Sequence, residues 1–255
     1  MSEITVTPLY ANWSFWAVLI AFVAVVLSQL PPVHFMLKRA RLDVELHSRI
    51  VLTHMVGNPN ISAHLIINNI GGRVIKVIGL TVRIKRDDLD VGNYPSQTYW
   101  QDPNDSNSVL FTQFLLRPSN EWTHIVNFLN YFDRENEKKF KQLEAELKAD
   151  IFKQRESFTD KEQIAHAKQE VVDPLMRLFD KNFIWLPGQY TIELRVDTNI
   201  QRANITKKYR FTLFESDSEE LTKYTEEYKT GAGIYFSSAT NTGISVQITD
   251  NKVNK

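Results

Sequence analysis

Residues 78–85 read Ile78-Gly79-Leu80-Thr81-Val82-Arg83-Ile84-Lys85, and this octet decides the fold class. Ile78, Leu80, Val82 and Ile84 fall on one face of an extended chain, and Gly79, Thr81, Arg83 and Lys85 on the other. One face suits a core and the other suits water, the usual condition of a strand in an antiparallel sheet. The same period of two recurs outward in both directions. Leu42, Val44 and Leu46 alternate with polar neighbours ahead of a turn at Gly57-Asn58-Pro59-Asn60. Further along, Trp122, His124, Val126 and Phe128 alternate, as do Tyr190, Ile192, Leu194 and Val196, and then Tyr209, Phe211 and Leu213. Residues 109–116 form another apolar candidate. Asn68-Asn69-Ile70-Gly71-Gly72 lies between two apolar runs and reads as a hairpin turn. Short strands separated by turn chemistry predict a β-sandwich.

The period changes to that of a helix over residues 131–180. Phe140, Leu143, Leu147 and Ile151 form one apolar stripe, with Lys and Glu on the other faces. Thr159-Asp160-Lys161-Glu162 reads as a capping box opening a second helix, whose apolar line is Ile164, Val171, Leu175 and Phe179. Asp173-Pro174 is a candidate kink. The pattern predicts an α-helical hairpin inserted between strands, packed within the chain. A short charged helix over 218–229, closed by Gly231-Ala232-Gly233, follows the later strands.

Residues 13–30, WSFWAVLIAFVAVVLSQL, carry no charge. As a helix the run would cover about 27 Å, near the hydrocarbon thickness of a bilayer. Trp13 and Trp16 would lie at one interface, and Pro31-Pro32 would close the other end. Lys38, Arg39 and Arg41 follow directly, whereas no Lys or Arg precedes the run. By the positive-inside rule the N-terminus lies outside and the body in the cytoplasm. The sequence therefore predicts a short extracytoplasmic tail at 1–11, a transmembrane helix and exit at 12–37, and a β-sandwich domain at 38–255 carrying the insertion. The bilayer is a partner, and the location is the plasma or inner membrane in a single pass.

Leu186-Pro187-Gly188-Gln189-Tyr190, leading into Thr191-Ile192-Glu193-Leu194, resembles the Pro-Gly-x-Tyr entry to a late strand in many immunoglobulin-like domains. The stretch from Ile67 through Gly72 to Ile84 likewise resembles hairpins of bacterial sandwiches of that type. The resemblance covers about a third of the soluble part and names no family. It implies an immunoglobulin-like antiparallel sandwich, a fold that hosts many functions and licenses no activity.

Composition narrows the chemistry. With 30 Lys+Arg against 30 Asp+Glu, the 255-residue chain lacks the basic excess of a nucleic-acid-binding protein. It has no Cys, which removes thiol catalysis, disulfides and cysteine metal sites. Six histidines at 34, 47, 54, 64, 124 and 166 form no zincin pattern. His54 and His64 flank one turn region, too few for a stable metal site. The loop Asp102-Pro103-Asn104-Asp105-Ser106-Asn107 lacks the Gly and Glu of a calcium loop, since Asn107 and Gln113 stand there. Asp87, Asp88 and Asp90 read as a solvated hairpin end. No P-loop, G-x-S-x-G or G-x-G-x-x-G motif occurs. No catalytic, cofactor or metal residue is assigned, although a triad assembled only in three dimensions is left open.

Residues 86–107 read as a long connection holding Tyr94, Tyr99 and Trp100. Long loops are often functional and Tyr and Trp are favoured interface anchors, so these three are the candidate partner-binding residues. The alternative is that the rings pin the loop to the domain, or that 98–101 is a short strand. The functional expectation is a membrane-anchored, non-enzymatic protein-binding or scaffolding module. The alternatives are a hydrolase with an unrecognised site and, with reversed topology, an outward-facing adhesion or envelope domain.

Overall fold

The computed structural model describes residues 12–29, 38–101, 107–158, 163–236 and 243–250. The 1–11 tail, the 30–37 exit with Pro31-Pro32, the acidic loop residues 102–106 and the Thr159–Glu162 box lie outside the described residues.

The first helix, α1, covers Trp13–Gln29, 17 residues. At 1.5 Å per residue that is about 26 Å, the lower limit of spanning length. Among the described residues no helix is long and apolar enough to cross a membrane. This corrects the expected transmembrane helix, and with it the single-pass membrane location. The sequence offered eighteen uncharged positions, of which the described helix holds 17. Trp13, the proposed interfacial anchor, is 89% exposed and Trp16 is 45% exposed. Lys38, Arg39 and Arg41, the proposed basic collar, lead into the first strand. There the carbonyls of Arg41 and Arg39 accept from the N–H groups of Gly71 and Gly72 at 3.0 and 3.4 Å. A Cβ at Gly71 would lie 2.5 Å from Arg39 O and from Arg41 N, so this crossing of two backbones requires glycine.

The body is an antiparallel sheet of eleven strands that nearly closes on itself. Its strands are β1 (Leu42–Met55), β2 (Asn58–Asn69), β3 (Ile75–Arg86), β4 (Leu89–Trp100), β5 (Val109–Leu110), β6 (Phe114–Leu116), β7 (Glu121–Leu129), β8 (Gly188–Thr198), β9 (Ile205–Leu213), β10 (Ile244–Gln247) and β11 (Thr249–Asp250). The order around the sheet is β10-β1-β2-β7-β4-β3-β8-β9-β11, with β5 on β4 and β6 on β3. This barrel-like closure replaces the expected immunoglobulin-like sandwich, and β4 is the cause. Residues 89–95 of β4 pair with β3, and residues 96–100 pair with β7. One strand thus belongs to both faces, and the sheet turns the corner without a break.

The turn cluster at 68–72 also departs from its hairpin reading. β2 pairs with β1 and β7, while β3 pairs with β4, β6 and β8, so the segment between them is a crossover. Asn69 holds it. The buried Asn69 side chain donates to Arg73 O and Leu116 O and accepts from Gly71 N–H. The true hairpins are tighter. Val56 and Gly57 join β1 to β2 with φ of 49° and 79°, and Asp87 and Asp88 join β3 to β4 with φ of 48° and 65°. Two successive positive φ values match the right-handed twist of the flanking strands.

Alternate residues of these strands fill the barrel with Leu52, Leu65, Ile67, Ile75, Leu80, Ile84 and Val196. Trp185 is fully buried and donates its indole N–H to Thr53 O at 3.0 Å. Between β7 and β8 run α2 (Arg134–Ser157) and α3 (Gln169–Asn182). The second helix begins at Gln169 and not at the Thr159 box, and Ile164 is exposed off its buried face. Asp150 of α2 accepts the Lys168 N–H at 2.8 Å at that start, and the helix runs on through Pro174. Phe140, Leu147, Leu175 and Phe179 form a second core that also takes in Val56, Tyr228 and Ile234. After β9 come α4 (Glu215–Lys223) and a 3-10 turn, Tyr224–Thr230, that ends at Gly231.

Candidate functional site

The sheet fails to close at one seam, between β9 and β10. The final segment runs β10 then β11 with only Ile248 between them. β11 pairs with β9 (Thr249 opposite Arg210, Asp250 opposite Tyr209), whereas β10 pairs with β1 (Gln247 opposite Arg49, Ser245 opposite Val51). Extending the β11 register backward would set Gln247 opposite Thr212 and Ser245 opposite Phe214. At Ile248 the chain instead swings across to β1, and the two strands part as a wedge with its apex at Thr249 and Arg210.

The backbone groups facing this wedge follow from strand alternation. Ile248 N–H donates to Ser48 O at 2.8 Å, so Ile248, Val246 and Ile244 turn their peptide groups toward β1. Ser245 and Gln247 turn theirs into the wedge. On the far side Thr212 lies opposite Gln189 of β8. Gln189 does not bond to it, because its N–H goes to Asp87 Oδ1 (3.1 Å) and its C=O accepts from Asp87 N–H (2.8 Å). Thr212 therefore also points its N–H and C=O into the wedge. Arg210 shares that orientation, and its C=O accepts from Thr249 Oγ1 at 3.3 Å. Among the described residues no backbone bond joins β9 to β10.

The wedge opens onto a cleft of about 840 Å³, lined by Asp87, Asp88, Gln189, Arg210, Thr212, Phe214, Asp217, Ser245 and Gln247 among others. Phe211, Leu213, Ile244 and Val246 turn inward to the core, which leaves Thr212, Ser245 and Gln247 exposed. Charge is uneven along the cleft. Asp88 and Asp217 stand at the mouth with the exposed ring of Phe214, and Arg210 stands at the apex. Asp217 accepts from Phe214 N–H at 3.0 Å and Asp87 from Gln189 N–H, so two of the three carboxylates are fixed by backbone donors. Among the described residues Asp88 makes no hydrogen bond or ion pair, and the Arg210 guanidinium has no ion-pair partner. Among the described residues no histidine lines the cleft.

The sequence-derived candidates lie elsewhere. Tyr94, Tyr99 and Trp100 sit on β4 and not on a long loop. Tyr94 is buried in the barrel core, and burial raises its hydroxyl pKa to about 12. Tyr99 is half-buried against Trp122 and His124, with ring centroids at 5.6 and 4.9 Å, and Trp100 is half-buried at the end of the strand, opposite Ile125. Tyr94 belongs to the barrel core and Tyr99 packs against it. Asp90 pairs with Arg83, whose guanidinium holds the carboxyl below its ordinary range. Among the described residues no group of His, Asp and Glu is placed to hold a metal ion.

His54 and His64 do not converge. The His64 ring lies near His47, and His54 is buried at the junction of the two cores. Its Nδ1 accepts from Gly57 N–H at 3.3 Å, which leaves the proton on Nε2 to be donated to Leu221 O at 2.9 Å. Phe179, Phe183 and Tyr224 enclose the ring. Burial holds this imidazole below its ordinary pKa, opposed by the Leu221 hydrogen bond.

No protein-family model and no curated protein sequence matches this chain. Among solved structures it is similar to a protein from Archaeoglobus fulgidus, at 8% identity over 68% of this chain and 97% of that one, with a TM-score of 0.26. A likeness of that size carries no argument about fold or function, and the site stands on its own geometry.

Proposed function

We propose that the chain is a non-enzymatic protein-binding module that takes an extended segment of a partner protein along the open seam between β9 and β10. The observation that carries this reading is the pair of facing, unpaired strand edges, with peptide groups of Thr212 on one side and Ser245 and Gln247 on the other. Open strand edges are templates for strand addition, and proteins ordinarily cover or shorten them. An extended segment supplies the alternating donors and acceptors that such edges lack. The charged, hydroxyl-bearing rim supports a polar strand as occupant over a flat apolar surface or a helix. The cleft's carboxylates support the binding reading over the hydrolase, since two are tied to backbone N–H groups and none of the described histidines stands beside them.

The test is selection of displayed random peptides on the 255-residue chain, followed by amide hydrogen exchange with the selected peptide bound. Slowed exchange at Thr212, Ser245 and Gln247 is expected. Peptides that bind without slowing those amides would overturn the reading, as would a selection that yields no binder.

A further inference from the structure

Resting on that reading, we propose that the occupant is the extended C-terminal end of its protein, with its terminal carboxylate held by Arg210 and a basic side chain held at the mouth. Three features of the wedge lead to this. The first is that the wedge is a dead end. Thr249 already pairs with Arg210, and Ile248 ties the same segment to Ser48, so a strand laid between β9 and β10 cannot run on past the apex. A chain terminus fits there, and a mid-chain segment would have to turn out of the sheet. The second is the charge at that dead end. The Arg210 guanidinium lines the cleft without an ion-pair partner among the described residues, and a guanidinium binds a carboxylate through two parallel N–H donors. It therefore selects the carboxyl end of the incoming chain over the amino end.

The third is the opposite charge at the mouth. From Arg210 to Phe214 the strand rises about 13 Å, so a side chain about four residues ahead of the terminus lies level with Phe214, at the mouth that Asp217 and Asp88 line. A Lys or Arg there meets two carboxylates and an aromatic face. The polarity of the cleft thus sets the direction of the occupant, and its length sets the spacing of the two recognised charges.

The experiment uses four fluorescent peptides with a Thr/Val-rich tail: a nonapeptide with Lys four residues ahead of a free C-terminal carboxylate, its C-terminal amide, its Lys→Glu variant, and the same nonapeptide extended at its C-terminus by five further residues. The free acid is expected to bind at least about tenfold more tightly than each of the others, the scale of one charge-assisted contact. In Arg210→Gln the acid and the amide should bind equally, and in Asp88→Asn the Lys and Glu peptides should converge. Equal binding of acid, amide and extended tail to the natural chain, all abolished by Thr212→Pro, would overturn the terminus proposal and leave the seam as the binding site. Binding of the acid that survives Thr212→Pro would overturn both. No binding of any peptide would overturn the terminus proposal, with the seam then decided by the display selection.

Discussion

Thr212 and Gln247 occupy the register in which β9 and the last strand should pair, and each turns its peptide N–H and C=O toward the other, yet no ladder bond joins them. The pairing ends at Arg210 and Thr249 because Ile248 carries the chain over to β1. A strand with one satisfied side and one open side separates folding from binding at single-residue resolution. Thr212→Pro removes an N–H that β8 does not use, and proline is tolerated on an open edge. Its cost to stability should stay below about 1 kcal/mol. Phe211→Pro instead removes a ladder bond to Tyr190 together with the buried ring stacked on it, and should cost at least the roughly 3–5 kcal/mol of a lost core aromatic. Urea denaturation of the two variants checks the difference, and equal losses would show that Thr212 faces β8.

The junction at His54 predicts an acid-sensitive fold. The native imidazole is held neutral with its pKa below 6.5, while the unfolded chain titrates near that value. The stabilisation is whole above that pH and is lost as pH falls below it, because only the unfolded chain takes up the proton. The slope attributable to one such group is at most about 1.4 kcal/mol per pH unit. Protonation would also place a proton on Nδ1 against the Gly57 N–H. In His54→Gln the pH dependence of the unfolding free energy between pH 6.5 and 5 should flatten. A variant that keeps the full slope would assign it to other groups.

The strand was legible over 80–85, where Leu80, Val82 and Ile84 face the core and Thr81, Arg83 and Lys85 do not. Ile78, read onto the core face, is 42% exposed because the ladder with β8 shifts register between Val77 and Gly79. β4 was not legible for the opposite reason. It changes neighbours at Pro95 and Ser96, most of its residues are half-buried, and Gly92 and Pro95 carry the signature of a turn. With β4 unseen, the strands divided into two sheets and suggested a sandwich. The apolar character of 13–30 was plain, but hydropathy does not fix helix length, and the described helix holds 17 residues. The seam left no mark at all, since Thr212, Ser245 and Gln247 are ordinary surface residues and matter only through the direction of their peptide groups. Asp87 and Asp88 were visible as a hairpin end, but their place at the cleft depends on Gln189, about a hundred positions away.

The two helices between β7 and β8 are expected to be inseparable from the barrel. Phe179 and Phe183 enclose His54, and the core under α2 and α3 takes in Val56, Tyr228 and Ile234 from outside the insertion. Deleting residues 131–180 would leave Val56 and Tyr228, now almost fully buried, against water. The product should aggregate, whereas Leu147→Ala in the intact chain should remain folded with a loss of about 2–5 kcal/mol. Size-exclusion chromatography of the deletion product checks this, and a monomeric folded barrel would show that the helices are a separate unit.

Tyr94 and Tyr209 give a matching prediction at alkaline pH. Burial is the main cause that pushes both hydroxyls up to about 12. In the unfolded chain a tyrosine ionises near 10, so the folded chain retains protons that the unfolded one has lost. Stability from these two groups is whole below pH 10 and is lost progressively as pH rises from 10 to 12. Tyr94 belongs to β4, the strand that turns the sheet from one face to the other, so truncating it opens a cavity where closure depends on packing. Tyr94→Ala should cost about 3–5 kcal/mol, the usual scale for a buried aromatic. Tyr99→Ala, at a half-buried ring, should cost less. Absorbance at 295 nm through an alkaline titration should show these tyrosines ionising together with loss of the fold, and Tyr94→Phe should make that loss shallower. Ionisation of all nine tyrosines in one step near pH 10, before the far-ultraviolet dichroism changes, would show that neither hydroxyl is buried.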